Sequence, residues 1–254
     1  MRILAASDLH IANARTEDMQ ISNLAYYIDK YHPDVLVISG DVYENYMPTN
    51  FYPLNTLGIP VVFCLGNHEF VYRTVSETLK HYEQQQKYFD NVHCLDIKHY
   101  VDIKGVRFVG NVLWYDGSMS TLPDKDYYLN NISTSWLDAS IKEFKPVEEH
   151  KKCVQHIKDS LKNYEGKSVL VTHTCPNSLL NMFCREDPMS IYNIYSGVND
   201  LFGTHGIYPT WAICGHTHRE VDFDYEDNQG HLVHCINVGN DYGQCKVRII
   251  EMED

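Results

Sequence analysis

Short apolar runs alternate with segments whose apolar positions recur every three or four residues, the pattern of strands interleaved with helices. Ile3 to Ser7 reads as a buried strand. From Thr16 to Tyr31 the positions Ile21, Leu24, Ala25 and Ile28 predict a helix, which Pro33 stops. Val35 to Ser39 and Ile59 to Cys64 read as two further buried strands. Thr74 to Phe89 predicts a polar helix with Val75, Leu79, Tyr82 and Tyr88 on its inner face.

The pattern then changes. Val92 to Leu95, Tyr100 to Ile103 and Val106 to Val109 read as an antiparallel meander, with Lys104-Gly105 turning between the last two. Glu148 to Tyr164 predicts a helix with Val154, Ile157 and Leu161 inward, and Ser168 to Thr172 a buried strand. Trp211 to Cys214, Val221 to Tyr225, His231 to Asn237 and Lys246 to Glu251 close the chain as strands. The expectation is an α/β protein, one domain over 1–254, carrying long loop insertions near 115–145 and 174–210.

Composition narrows the class. The chain has 254 residues, enough for about one or two domains and for a core that needs no disulfide or metal to form. Apolar side chains make up 44% and charged ones 22%, which excludes a disordered chain. With 21 basic and 34 acidic residues the net charge is 21 − 34 = −13. That field repels phosphate polymers at long range, so nucleic acid is a disfavoured partner unless a local pocket or metal ions override it. Apolar runs fall far short of the roughly 20 residues needed to span a bilayer. The stretch before Asp8 is too short for the apolar region of a signal peptide, so the expectation is no membrane and a cytoplasmic location. The eight cysteines include no CxxC pair, and Cys64 and Cys214 sit in apolar strands as small apolar side chains rather than zinc ligands.

Five polar clusters follow predicted strands: Asp8-Leu9-His10, Gly40-Asp41, Gly66-Asn67-His68-Glu69, His173 and Gly215-His216-Thr217-His218. In α/β sheets ligands bind at the carboxyl edges of strands, where separate clusters can converge. Asp8, His10, Asp41, Asn67, His173, His216 and His218 form a metal-donor set that suits Mn, Fe or Zn. Seven donors exceed one four-coordinate zinc and fit two ions sharing a carboxylate, spaced about 3.5–4 Å for phosphoryl chemistry. The glycines let the chain turn sharply beside such ions.

Each cluster also has a plainer reading. Asp8 could cap a helix, Asp41 could be a turn residue, His173 a structural histidine, and His216 and His218 part of a surface turn. Glu69 either supports the ligands or caps the following helix. Arg73 is a candidate phosphate contact, though such an arginine more often pairs with an acidic neighbour. Trp114, Tyr115, Tyr192 and Tyr195 could stack on a nucleobase or aryl leaving group, packing being the plainer role. His93, His99, His150, His156 and His234 read as surface or packing residues.

Taken in order, the five motifs resemble the signature of the calcineurin-like metallophosphoesterases, from residue 8 to residue 218. The resemblance implies two packed mixed β-sheets flanked by helices, a four-layer αββα sandwich. It implies that Asp8, His10 and His218 hold one metal, that Asn67, His173 and His216 hold the other, and that Asp41 bridges them. A bridging hydroxide would attack phosphorus in line. His68 would protonate the leaving group or polarise a phosphate oxygen. The candidate substrate contacts are Asn67, His68 and, from its position alone, Arg73.

The phosphoprotein phosphatases of that family have GDxxD followed by an arginine. Here Glu44 stands where that second Asp would pair with the histidine, and no arginine follows. The pattern is nearer the small phosphodiesterases and the nuclease relatives. The leading expectation is therefore a dinuclear phosphodiesterase on a small or nucleotide-like substrate. The alternatives are a nuclease on DNA or RNA ends, a small-molecule phosphomonoesterase, and a non-catalytic protein-binding scaffold.

Overall fold

The central apolar runs become strands buried on both faces, while Val101–Ile103, Val221–Glu226 and Arg248–Glu251 keep exposed positions. The structure, a computed structural model, describes residues 1–44 and 51–253. The first half builds a sheet from β1 (Arg2–Ala6), β2 (Val35–Ser39), β3 (Val61–Cys64) and β4 (Val92–Cys94), all parallel. The second half builds one from β5 (Val101–Ile103), β6 (Val106–Asn111), β7 (Ser168–Thr172), β8 (Trp211–Cys214), β9 (Val221–Glu226) and β10 (Leu232–Asn237). Its spatial order is β5-β6-β7-β8-β10-β9, with antiparallel strands at both edges. The last strand, β11 (Arg248–Glu251), returns to pair antiparallel with β1.

Alternation along β1 explains the layering. Ile3 and Ala5 face Phe108, Val169, Val171 and Ile213 of the second sheet. Leu4 and Ala6 face the helices, in a core that includes Leu24 of α1 (Ala14–Tyr31). The opposite face of the second sheet packs Leu170, Ala212 and Cys214 against Val154 and Ile157. The two mixed sheets thus lie face to face, flanked by helices, as the resemblance implied.

Local signals set the helix ends. Asn13 accepts hydrogen bonds from the backbones of Arg15 and Thr16 at the start of α1, and the Thr16 hydroxyl accepts from the Asn13 backbone. His32 ends the helix in the left-handed region, just before Pro33. The short α2 (Tyr52–Asn55) precedes α3 (Val75–Gln86), and α4 (Lys125–Asn130) lies in the first long loop. The helix that presents Val154 and Ile157, α5 (Pro146–Leu161), begins at a proline, which needs no hydrogen-bond acceptor there. The second long loop carries α6 (Met182–Glu186), α7 (Tyr192–Tyr195) and α8 (Leu201–His205).

Two expectations are corrected. The meander reduces to the hairpin β5–β6, whose Lys104-Gly105 turn has positive φ at both residues. β4 joins the other sheet because α3 makes the β3–α3–β4 connection a crossover, which returns the chain parallel. Tyr88 points outward: α3 ends at Gln86, and Phe89 instead packs inward near Phe51. Among the described residues, no helix is long and apolar enough to cross a membrane.

Candidate metal centre

The strand-end clusters meet at one edge. Asp8 and His10 follow β1, Asp41 follows β2, Asn67 and His68 open a short helix after β3, His173 follows β7, and His216 and His218 follow β8. Ligand candidates come from both sheets, so the cluster exists only once the sheets are packed. The backbone there is strained: Asp8, His10, Asp41, His216 and His218 all have positive φ, between 46° and 69°. Backbone bonds of 3.0 Å from Asp8 to Gly40 and from His10 to Asp41 hold the first two turns together. A Cβ at Gly66 would collide with the Asp41 carboxylate, and one at Gly215 with that of Asp8.

The proton inventory shows what the cluster accommodates. His173 Nδ1 donates to the Ser39 carbonyl at 3.0 Å, leaving a lone pair on Nε2 of the neutral ring. His216 Nε2 donates to the Tyr195 carbonyl at 3.1 Å, leaving a lone pair on Nδ1. Asn67 Nδ2 donates to Asp138 at 2.8 Å, which turns its Oδ1 inward. Around His173 Nε2 stand Asn67 Oδ1 at 3.0 Å, His216 Nδ1 at 3.2 Å and Asp41 Oδ2 at 3.3 Å. With His173 neutral, four lone pairs converge there, an arrangement that either a proton on His173 or a bound cation would close. Donors bound to one ion at about 2.1 Å stand about 3.0–3.4 Å apart, so the spacing fits a metal.

On the other side His10 Nε2 and His218 Nε2 lie 3.4 Å apart, with Asp8 Oδ1 3.6 Å from His218 and Asp41 Oδ2 3.9 Å from His10. Asp8, His10 and His218 could hold one cation, and the groups Asp8, Asp41 and His173, and His10, Asp41 and His68, are also close enough to hold one. The Asp41 carboxylate lies between the two sides.

Charge is distributed accordingly. Burial alone would raise the Asp41 carboxyl, but the imidazoles of His173, His68 and His10 hold it well below the usual range. Burial works against a proton on His173, yet the Asp41 and Asp8 carboxylates raise its pKa to about 10. Burial and the neighbouring His173 push His216 down to about 3. A buried cluster that draws a proton this strongly offers the same field to a metal ion.

Glu44 reaches two imidazoles, accepting from His10 Nδ1 at 3.0 Å and from His68 Nδ1 at 2.9 Å. Burial would raise its carboxyl, but these bonds bring it down to about 2. Burial opposes a charge on His68, while Asp41 and Glu44 raise it to about 9. His68 Nε2 stands 3.7 Å from Asp41 Oδ2. Glu69 caps its own turn, accepting from the backbones of Gly66 and Tyr43, and burial raises its carboxyl to about 8.

The structure thus brings together Asp8, His10, Asp41, Glu44, Asn67, His68, His173, His216 and His218. Arg73 is not brought to them. It stands near Glu77, whose carboxyl is lowered first by Thr74 and also by Lys142 and Arg73. Trp114, Tyr115 and Tyr195 are buried, whereas Tyr192 is exposed.

Sequence reasoning missed four supports. Asp138 accepts from Asn67 and, at 2.7 Å, from the Tyr115 hydroxyl. Asp241 accepts from His218 Nδ1 at 3.1 Å. The Tyr242 ring stacks on His10 with centroids 4.0 Å apart, and its hydroxyl stands 3.5 Å from His68 Nε2. Asn240 donates to the carbonyls of Ser7 and Asp8. Three of the four follow β10, which runs parallel to β8 and ends at the same edge, so the strand-end rule applied there would have found them.

Residues 1–220 match the family model of the calcineurin-like phosphoesterases. The chain belongs to that family. It is a metal-dependent phosphoesterase. Over 148 residues it is 24% identical to the SbcD component of the SbcCD nuclease of Staphylococcus saprophyticus, a stretch covering 52% of this chain and 37% of that protein. The chain therefore spans little more than a third of that relative's length. In structure it is similar to a phosphopantetheinyl hydrolase of Mycobacterium tuberculosis, with TM-score 0.66 and 17% identity, covering 97% of this chain and 95% of that one. It is also similar to a dimetal phosphatase of Danio rerio, with TM-score 0.55 and 12% identity, covering 94% and 87%. At these identities the structural likenesses speak for the fold of this phosphoesterase alone.

Proposed function

We propose that this phosphoesterase is a phosphodiesterase acting on small, nucleotide-like substrates with two metal ions. Asp8, His10 and His218 would hold one ion, Asn67, His173 and His216 the other, and Asp41 would lie between them. The observation that carries the reading is the convergence of ligand atoms from Asp41, Asn67, His173 and His216, with a ring N–H of each histidine given to a backbone carbonyl and an Asn67 amide N–H given to Asp138. When bound, two such ions activate water and neutralise charge developing on phosphorus. The donor set suits Mn, Fe or Zn.

The chain's own residues supply the rest. His68 keeps its Nδ1 proton on Glu44 and turns Nε2 towards the cluster, where it can give a proton to a departing oxygen. Asn67 presents its carbonyl oxygen because its amide nitrogen donates to Asp138. Among the described residues no lysine or arginine is ion-paired with Asp8, Asp41 or Glu44. A diester with one negative charge asks less of such a site than a doubly charged monoester. Both sheets contribute donors, which supports the chain working as one domain. All eight cysteines are free thiols, which fits a reducing compartment such as the cytoplasm.

The likeness to the SbcD nuclease component favours a second reading, a nuclease acting on DNA or RNA ends. The net charge of −13 weighs against it. Hydrolysis of bis-p-nitrophenyl phosphate by Mn-loaded protein, beside p-nitrophenyl phosphate and an end-labelled duplex, tests both. A preference of about tenfold or more for the small diester is expected. Preference for the monoester overturns the diesterase reading, and faster turnover of the duplex moves the assignment to the nuclease.

A further inference from the structure

A cavity of about 420 Å3 opens beside the metal centre, with His216 and His218 in its wall. Its volume lies within the range of about 300–1,000 Å3 typical of small-ligand sites. The two long loops build one side of it. Trp136 comes from the first, and Phe183, Tyr192 and Tyr195 come from the second.

Tyr192 is exposed, Trp136 and Phe183 are half-buried, and the buried Tyr195 ring backs that of Trp136. Trp136 lies 4.7 Å from Tyr195 and 5.0 Å from Tyr192, and Tyr192 stacks towards Phe183 at 6.4 Å. The inner end is tied to the metal cluster, since the Tyr195 carbonyl accepts from His216. At the outer end the Arg219 guanidinium sits 5.5 Å over the Phe183 ring. Arg219 is exposed, makes no ion pair among the described residues, and follows His218 directly. The other charged group lining the cavity, Asp241, already accepts from His218.

We infer that this cleft holds the planar base of a nucleoside phosphoester, with its phosphate at the metal cluster. The inference rests on the phosphoesterase reading of that cluster and adds the part of the substrate that does not react. Ring faces bind a planar heteroaromatic group by stacking, which tolerates any base and needs no hydrogen-bond code. Arg219 at the mouth provides a guanidinium plane for stacking or a charge for a second phosphate. A single arginine at the rim of a strongly acidic protein suits a mononucleotide-sized ligand rather than a polymer. The two insertions thereby acquire a role that no motif in them reveals.

Calorimetric binding of adenosine 5′-monophosphate and of ribose 5-phosphate to Mn-loaded protein tests the cleft without relying on turnover. The two ligands share the phosphate and sugar and differ by the base. Wild-type protein is expected to bind the nucleotide about tenfold more tightly or better, the scale of base–aromatic stacking. Trp136→Ala and, at an exposed position, Tyr192→Ala are each expected to shrink that ratio to about threefold or less. Equal binding of the two ligands, no measurable nucleotide binding, or a ratio that survives both substitutions overturns the inference. If diesters turn over but the base brings no affinity, the cleft assignment falls and the phosphodiesterase reading stands. If the base brings affinity and no diester turns over, the reverse holds.

Discussion

Glu44 Oε2 lies 2.9 Å from His68 Nδ1, and the other oxygen of the same carboxylate holds His10 at 3.0 Å. One side chain thus sets the tautomer of two imidazoles and turns both Nε2 atoms towards the cluster. A glutamine at this position keeps one carbonyl acceptor and presents an amide donor to the second ring. Glu44→Gln should therefore lower kcat on bis-p-nitrophenyl phosphate by about 10- to 100-fold, the usual cost of removing an orienting partner. Glu44→Asp, shortened by one methylene, should reach one imidazole at a time and recover part of the loss. A wild-type kcat in the glutamine variant would show that neither histidine depends on Glu44.

Asp41 and His68 separate metal binding from proton transfer. The Asp41 carboxylate reaches towards His10, His68 and His173, whereas His68 has its Nδ1 held by Glu44 and only its Nε2, 3.7 Å from Asp41, facing the cluster. Asp41→Ala should lose bound metal and turnover together. His68→Ala should retain metal and lose turnover by roughly 100- to 10,000-fold, the range for a general acid. Metal content by elemental analysis beside kcat distinguishes them. Metal loss in His68→Ala would make that residue a ligand instead.

The residues of the cluster were legible because each motif is a short contiguous segment at a strand end. Of their supports, Asp138 was not, because it acts from a loop with no motif, while Asn240, Asp241 and Tyr242 follow β10 and were open to the strand-end rule though no motif marks them. Asp138 meets Asn67 across 71 positions, and Tyr242 meets His68 across 174. The strands were likewise legible as apolar runs, but their partners were not. β4, β5 and β6 look alike in hydropathy, and only the crossover through α3 assigns β4 to the first sheet. Tyr88 and Phe89 show the other weakness: a helix ending a few residues early reverses which of two adjacent rings is buried.

His93, on β4, makes a prediction about acid stability. Burial, and then the nearby Lys98 charge, push its imidazole down to about 4 from an ordinary value of about 6.5. Between those values the unfolded chain binds the proton and the folded one does not, so stability falls as pH drops from about 6.5 towards 4. His93→Gln keeps a neutral acceptor for Lys98, whose Nζ lies 2.9 Å from His93 Nδ1, and removes the titration. The difference in Tm between wild type and variant should therefore move in favour of the variant as pH falls from about 7 to about 5. A difference that stays constant over that range would refute the assignment.

Asp138 offers the sharpest test of the lone-pair argument. Its two oxygens accept from Asn67 Nδ2 and from the Tyr115 hydroxyl, at 2.8 and 2.7 Å, inside the core. Burial raises its carboxyl, and the bonds from Tyr115 and Asn67 pull the other way. Asp138→Asn can offer a carbonyl to one of these donors and must turn an amide towards the other. If the carbonyl goes to Tyr115, Asn67 is free to rotate and its Oδ1 no longer faces His173. Metal titration should then show one site weakened by about 10- to 100-fold while the site of Asp8, His10 and His218 is unaffected. Tyr115→Phe removes only the competing donor, leaves Asp138 to Asn67, and should keep both sites. Equal weakening of both sites in Asp138→Asn would mean a general loss of packing, and unchanged titration would mean that Asn67 is oriented by something other than Asp138.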